Sequence, residues 1–181
     1  MKSRHATAAR YAKALFSIAR EAGTAEALVR ELEQFAAELR GSRELETVLQ
    51  RPWIKPAERQ QVAVEVAKRA GCGPLVQKTI GLVAARGRMD HLPELVDSYR
   101  ALVDSEAGRV RAAVRAAVAF TEDEKRQLAA RLGQALGKQV IIQETVDASL
   151  LGGFVAQVGS LILDGSLDGQ LARVRERLAR G

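Results

Sequence analysis

Aromatic residues are scarce in this chain, at 4% of 181 residues, and so are cysteine, with one, and histidine, with two. Few aromatics leave little to stack on nucleic-acid bases. The lone Cys72 has no partner for an internal disulfide, and among Ala, Gly and Pro it reads as a small buried hydrophobe. His5 and His91 stand far apart without the Cys, Asp or Glu spacing of a zinc site, so no metal is expected. No run approaches the roughly 18 consecutive apolar residues of a membrane span, and the N-terminus lacks the apolar core of a secretory signal; the chain is expected in the cytoplasm. Residues 1–10 are basic and free of acids, as in an organellar transit peptide. Tyr11, Leu15, Ile18 and Ala22 already repeat at helical spacing behind them, so the segment reads as a mature bacterial start.

A concentrated block of basic charge is also missing. The net charge is +6 and the isoelectric point near 9.9, which raises nucleic acid as a partner. Yet 28 bases are interleaved with 22 acids, and the excess divides into +4 over residues 1–105 and +2 over the rest. No RNP, KH or zinc-finger pattern is present. The densest cluster, Arg173, Arg175, Arg177 and Arg180, falls in a final helix whose C-terminus it favours. It reads as a solvated or partner-facing helix end. A basic, helix-rich nucleic-acid-binding protein remains the alternative reading, and it predicts steeply salt-dependent association.

What is abundant is Ala, Leu, Val and Arg, with 47% hydrophobic and 28% charged residues. These residue types favour helices. The first helix is predicted over about 6–22, ending at Gly23. Thr24 can cap a second, with Leu28, Leu32, Phe35 and Leu39 on one face and a stop at Gly41. Ser42 can cap a third carrying Leu45, Val48 and Leu49. Pro52 breaks the chain, Pro56 suits the first turn of a fourth helix, and Pro74 opens a fifth with Leu75, Thr79, Leu82 and Val83. Asp90 can cap a sixth, with Leu92, Leu95, Val96, Tyr99, Leu102 and Val103 in one stripe. Past Gly108 the period changes to two: Arg109, Arg111 and Arg115 alternate with Val110, Ala112, Val114 and Ala116, as in a half-buried strand. Thr121 to Glu124 is a capping box opening a helix with Leu128, Leu132 and Leu136. Val140, Ile142 and Val146 supply a second strand. A third is expected over 154–163, interrupted at Gly159 by a bulge or a close backbone approach, and a closing helix carries Leu167, Leu171, Val174 and Leu178. The fold class is therefore α+β: a six-helix bundle over 1–105, then a small β-α-β-β-α domain over 106–181.

Catalysis finds no home in this pattern. The glycines from Gly152 to Gly159 lack the Lys-Ser/Thr of a phosphate loop and lead into a strand. Gly133 to Gln139 echoes such a loop, but it is one residue short, has Gln139 where a hydroxyl is needed, and closes a helix. Asp147 with Ser149, and Asp164 with Ser166, sit where turns are required and have no histidine beside them. Trp53 and Met89 are solitary and read as packing residues. No catalytic, cofactor-binding or metal-binding residue is expected, and the balance tips towards a binding or coupling role.

Three segments then look familiar together. Arg10-Tyr11-Ala12-Lys13-Ala14-Leu15-Phe16 resembles the opening motif of F-type ATP synthase delta subunits, the family of the mitochondrial oligomycin-sensitivity-conferring protein. Arg86-Gly87-Arg88-Met89-Asp90-His91-Leu92-Pro93 resembles that family's turn between the fifth and sixth helices. Residues 147–153, Gly159, and Ile162-Leu163-Asp164-Gly165-Ser166-Leu167 with Gly169 and Leu171 resemble its C-terminal signature. Ala156 and Gln157 depart from it, where a larger aliphatic residue and a base are usual. The resemblance runs essentially end to end. It implies a non-catalytic stator subunit without cofactor, linking the catalytic head to the peripheral stalk so that proton transport couples to ATP synthesis. It implies an N-terminal bundle that receives N-terminal segments of the alpha subunits, with Tyr11, Ala14, Ile18, Thr79, Leu82, Val83 and Arg86 as groove residues. It also implies a second domain that meets the C-terminal ends of the b subunits, where Arg173, Arg175, Arg177 and Arg180 are expected to contribute. Such a protein needs no nucleic acid. It sits peripherally on the cytoplasmic face of the bacterial inner membrane, through its complex.

Overall fold

Glycine and proline set most of the helix ends. The computed structural model describes residues 2–51, 53–159 and 161–180, and side chains at all of these except 2–4, 177, 179 and 180. Among the described residues there are eight α-helices and a four-stranded mixed sheet, an α+β protein. Contacts divide the chain into two units, Met1–Val103 and Asp104–Gly181.

The first unit holds α1 (Lys2–Glu21), α2 (Ala25–Gly41), α3 (Arg43–Gln50), α4 (Pro56–Arg69), α5 (Pro74–Ala85), a 3-10 turn (Met89–His91) and most of α6 (Leu92–Glu106). Ser42 caps α3 as expected, its Oγ accepting from Leu45 N at 3.3 Å. Pro56 and Pro74 occupy the first turns of α4 and α5. Thr24 stands at the N-cap of α2, but its hydroxyl makes no capping bond and instead donates to Ala19 O at 3.5 Å. Asp90 is not the cap of α6: it lies inside the 3-10 turn, and α6 starts two residues later beside Pro93. The predicted stripe Leu28, Leu32, Phe35 and Leu39 is buried, together with Leu49, Val76, Ile80, Leu92, Leu95 and Tyr99. Each such large apolar side chain contributes about 1.5–3 kcal/mol relative to exposure. Alanine supplies the inner face of α1, with Ala8, Ala12 and Ala19 fully buried around Leu15. Small side chains let that helix sit close. Tyr99 receives the Phe16 ring edge-on at 6.1 Å and donates its hydroxyl to Ala25 O at 3.1 Å. Its burial pushes the phenol up to about 12.

The second unit contains β1 (Arg109–Ala116), α7 (Glu122–Leu136), β2 (Gln139–Val146), β3 (Phe154–Val158), β4 (Leu161–Asp164) and α8 (Leu167–Arg180). The sheet order is β2-β1-β3-β4, with β1 parallel to β2 and antiparallel to β3. Ala112, Val114 and Ala116 are buried as the period of two requires, and Ala112 and Val114 share a core with Leu132, Val140, Ala156 and Val158. Phe120 and Phe154 close one end edge-to-face at 5.9 Å. Thr121 and Glu124 form the predicted capping box on α7. Near the start of this unit Asp104, 4% exposed, is held by Arg111 Nε at 2.5 Å and Arg109 Nε at 3.3 Å.

One predicted element is corrected. Residues 154–163 form two strands rather than one, giving β-α-β-β-β-α: Val158 pairs with Leu161, and Gly159 has φ +60°. Left-handed backbone suits the tight turn of an antiparallel hairpin, so this glycine reverses the chain instead of bulging it.

Candidate interaction surfaces

Helix α1 presents two faces at helical spacing. Ala8, Ala12, Leu15 and Ala19 face the core, and Tyr11, Ala14 and Ile18 form a stripe on its flank. Tyr11 is half-buried, Ala14 exposed and Ile18 53% exposed. Helix α5 packs beside α1. Its own outer stripe is Leu75, Thr79, Leu82 and Arg86, with Leu82 46% exposed and Arg86 exposed. Thr79 donates its hydroxyl to Leu75 O at 2.9 Å, which satisfies its polar group within the helix. Arg88 Nη1 donates to Tyr11 Oη at 3.2 Å, tying the turn after α5 to α1. Val83 does not belong to this stripe. It is 1% exposed and packed in the core, one position round the helix from Leu82.

The second surface lies on the closing helix, whose apolar residues the sequence reading placed at helical spacing. Leu167, Leu171, Val174 and Leu178 recur on one face of α8, yet they are exposed, from 47% for Leu167 to 78% for Leu178. Arg175 and Glu176 are exposed alongside, and Arg173 Nη2 donates to Asp164 O at 3.4 Å. Arg177 and Arg180 lie outside the described side chains. The periodic signal for this stripe was visible in the sequence. Its direction was not, because an inward and an outward apolar stripe have the same period.

The glycines and turns of the C-terminal signature anchor the start of α8. Ser166 Oγ accepts from Gly169 N at 3.0 Å, capping the helix, and donates to Asp164 Oδ1 at 2.6 Å. Leu167 N donates to Gly152 O at 2.9 Å, Gly165 N to Phe154 O at 3.0 Å, and Leu151 N to Asp168 Oδ2 at 3.2 Å. Asp147 makes a similar turn, accepting from Ser149 Oγ at 2.6 Å and pairing with Arg115 at 3.2 Å. Hydrogen bonds from the serine hydroxyl and N–H hold both Asp147 and Asp164 below the ordinary carboxylate value. A carboxylate so stabilised is a poor general base, so these pairs build turns. Cys72 is buried against Glu31 O, which pushes its thiol up. No group of three potential metal ligands occurs among the described residues, and no described helix is long and apolar enough to cross a membrane.

The Asp164 turn carries a pH prediction. Its folded pKa is depressed, so its contribution is full above the unfolded carboxylate value and is lost as pH falls through the folded one. Exchange protection of the Leu167 and Gly169 amides is expected to hold from about pH 7 to 5 and to fall below about pH 4. Asp164→Ala removes that dependence. Loss already complete at about pH 5 contradicts this assignment.

Fold and surfaces together define a class: a two-unit α+β protein with exposed apolar helix faces. Comparison with known proteins narrows it. The model of the family described as ATP synthase delta (OSCP) subunit matches residues 7–178. The ATP synthase subunit delta of Geobacter sp. (strain M21) is 34% identical over 179 residues, covering 99% of each chain. That of Anaeromyxobacter sp. (strain Fw109-5) is 39% identical over 171 residues, 94% of this chain and 96% of the relative. That of Shouchella clausii (strain KSM-K16) is 36% identical over 180 residues, 99% of each. A chain of the Toxoplasma gondii mitochondrial ATP synthase hexamer shares the fold, with a TM-score of 0.73 at 19% identity over 95% of this chain and 97% of that one. The chain belongs to the ATP synthase delta (OSCP) subunit family. It is a stator subunit of an F-type ATP synthase, associated with other subunits of that complex and peripheral to its membrane part. The nucleic-acid alternative finds no support among these relatives.

Proposed function

We propose that the chain is a non-catalytic clamp with one partner for each unit. The first unit, acting as a six-helix bundle over about residues 1–105, takes an N-terminal segment of an alpha subunit against α1 and α5. The second takes the C-terminal ends of the b subunits on α8, on the cytoplasmic face of the bacterial inner membrane. The observation that carries this reading is that each unit has its own core and still leaves one periodic apolar helix face uncovered. An amphipathic partner helix is suited to such a face. The stalk contact is then chiefly the apolar stripe Leu167, Leu171, Val174 and Leu178, with Arg173 and Arg175 at its rim. A nanomolar contact corresponds to about 12 kcal/mol, and two contacts on one chain raise each other's effective concentration. Torque is resisted by binding alone, with no chemistry required.

The test is a pull-down from solubilised membranes of the source organism with the full chain, scored for alpha, beta and b subunits. Leu171→Asp combined with Val174→Asp is expected to weaken b-subunit binding at least about a hundredfold and leave alpha binding unchanged. Both positions are exposed, so folding changes little. Charge reversal at Arg173 and Arg175 is expected to cost less, about threefold to tenfold, and to fade with salt. Retention of b by the double Asp variant contradicts the α8 assignment. Absence of all three subunits from the wild-type pull-down contradicts the clamp.

A further inference from the structure

We infer that the turn after α5 is a receptor for one carboxylate on the partner helix, so that the α1/α5 face selects an amphipathic helix with an acid at one end. This rests on the function proposed above and adds the partner's chemistry to it. Arg59, on α4, is 8% exposed, and its Nε is buried without a hydrogen-bond partner. Its guanidinium lies against Gly87, where a Cβ would stand 2.9 Å from Nη1. Arg86 and Arg88 flank that glycine and are exposed, and Arg88 reaches Tyr11 on α1. Among the described residues no carboxylate pairs with any of the three. A guanidinium buried to this degree ordinarily has an acid beside it, and a charge-assisted bond to a carboxylate is the strong way to satisfy it.

The missing carboxylate comes with the partner. The turn continues the outer stripe of α5, and Leu82 lies one helical turn, about 6 Å, before Arg86. A helix covering Ala14, Ile18 and Leu82 therefore brings a side chain over the turn if it bears an acid one turn beyond the residue that meets Leu82. A free phosphate gains nothing from the adjoining apolar stripe, which favours a peptide carboxylate.

The experiment is titration of the full chain with a synthetic peptide of the source organism's alpha-subunit N-terminal segment, and with the same peptide carrying each Asp or Glu in turn as its amide. One amide replacement is expected to weaken binding about tenfold or more, as are Arg88→Gln and Arg59→Gln. The peptide and protein changes together are expected to cost little more than either alone. Phosphate is expected to compete no better than chloride at equal ionic strength. Arg88 and Arg86 are exposed, so their Gln variants fold and carry the test if Arg59→Gln melts early. Wild-type affinity in Arg86→Gln and Arg88→Gln, additive losses, or specific phosphate competition overturns the inference. If those Arg variants bind normally while Ala14→Asp abolishes binding, the clamp stands and the carboxylate receptor falls. A wild-type chain that does not bind the peptide overturns both.

Discussion

Ala14→Asp is expected to lower the affinity of the full chain for an alpha-subunit N-terminal peptide at least about a hundredfold, or about 2.7 kcal/mol. Ala14 is exposed, one turn before Ile18 on the flank of α1, and the helix buries Ala8, Ala12, Leu15 and Ala19 instead. A small side chain there lets a partner helix approach closely. An Asp must be desolvated against that helix, at several kcal/mol unless it is paired. The fold is expected to survive, because the substitution leaves the core stripe untouched and costs only about 0.7 kcal/mol in helix propensity. Titration gives the affinity, and circular dichroism with thermal melting separates it from folding. Lys13→Asp, equally exposed and about 100° round the helix, is expected to bind near normally. A folded Ala14→Asp chain with unchanged affinity places the partner on another face, and lost helicity makes Ala14 a packing residue.

Most element positions were legible because their punctuation is chemical. Pro56 and Pro74 have no N–H to lose at a first helical turn, Ser42 and Thr121 offer side-chain acceptors to orphan amides, and alternation from Arg109 to Ala116 fixes a strand. Where the reading failed, two structures shared one sequence signal. A glycine inside an apolar run marks a bulge or a reversal, and the pairing of Val158 with Leu161 decides for reversal at Gly159. Asp90 has the chemistry of a cap, but Pro93 moves the start of α6 to Leu92. Val83 follows Leu82 directly, and about 100° of helix rotation puts one in the core and the other in solvent.

The candidate interaction surfaces were harder to read for a related reason. Periodicity reports that a helix has an apolar face, and says nothing of whether this chain or another covers it. On α1 the outer flank of Tyr11, Ala14 and Ile18 was implied by the resemblance, while the inner face is three alanines and Leu15. On α8 the arginines were expected to contribute to a partner contact, and the apolar stripe they border was left without an assignment. Arg59 gave no signal at all, since an isolated Arg in an exposed-looking helix is ordinary until its packing under Gly87 is known.

The C-terminal signature is a scaffold for α8, and Gly153→Ala tests this with the larger structural effect. Gly153 has φ +76°, which costs an L-residue about 1–2 kcal/mol, and a Cβ there collides with the Gly165 carbonyl oxygen and stands 3.0 Å from Ser166 Cα. Both neighbours are backbone, so no rotamer change relieves the contact, and crowding adds about 1–3 kcal/mol. The same crossing carries Ala117 N to Gly153 O at 3.2 Å and Leu167 N to Gly152 O at 2.9 Å, so a shift there also releases the first turn of α8. A total near 3 kcal/mol lowers the melting point of a unit of this size by about 12–24 °C. Calorimetry of the full chain is expected to show the transition of Met1–Val103 in place and that of Asp104–Gly181 displaced or missing. In binding assays the variant is expected to keep the alpha peptide and lose the b subunits, although it alters no residue of the exposed α8 stripe. If the second transition moves by less than about 4 °C, the close packing of Gly153 against Gly165 is not what holds the signature together. If both partners are lost together, the two units do not fold independently, and the clamp must be redrawn as one cooperative body.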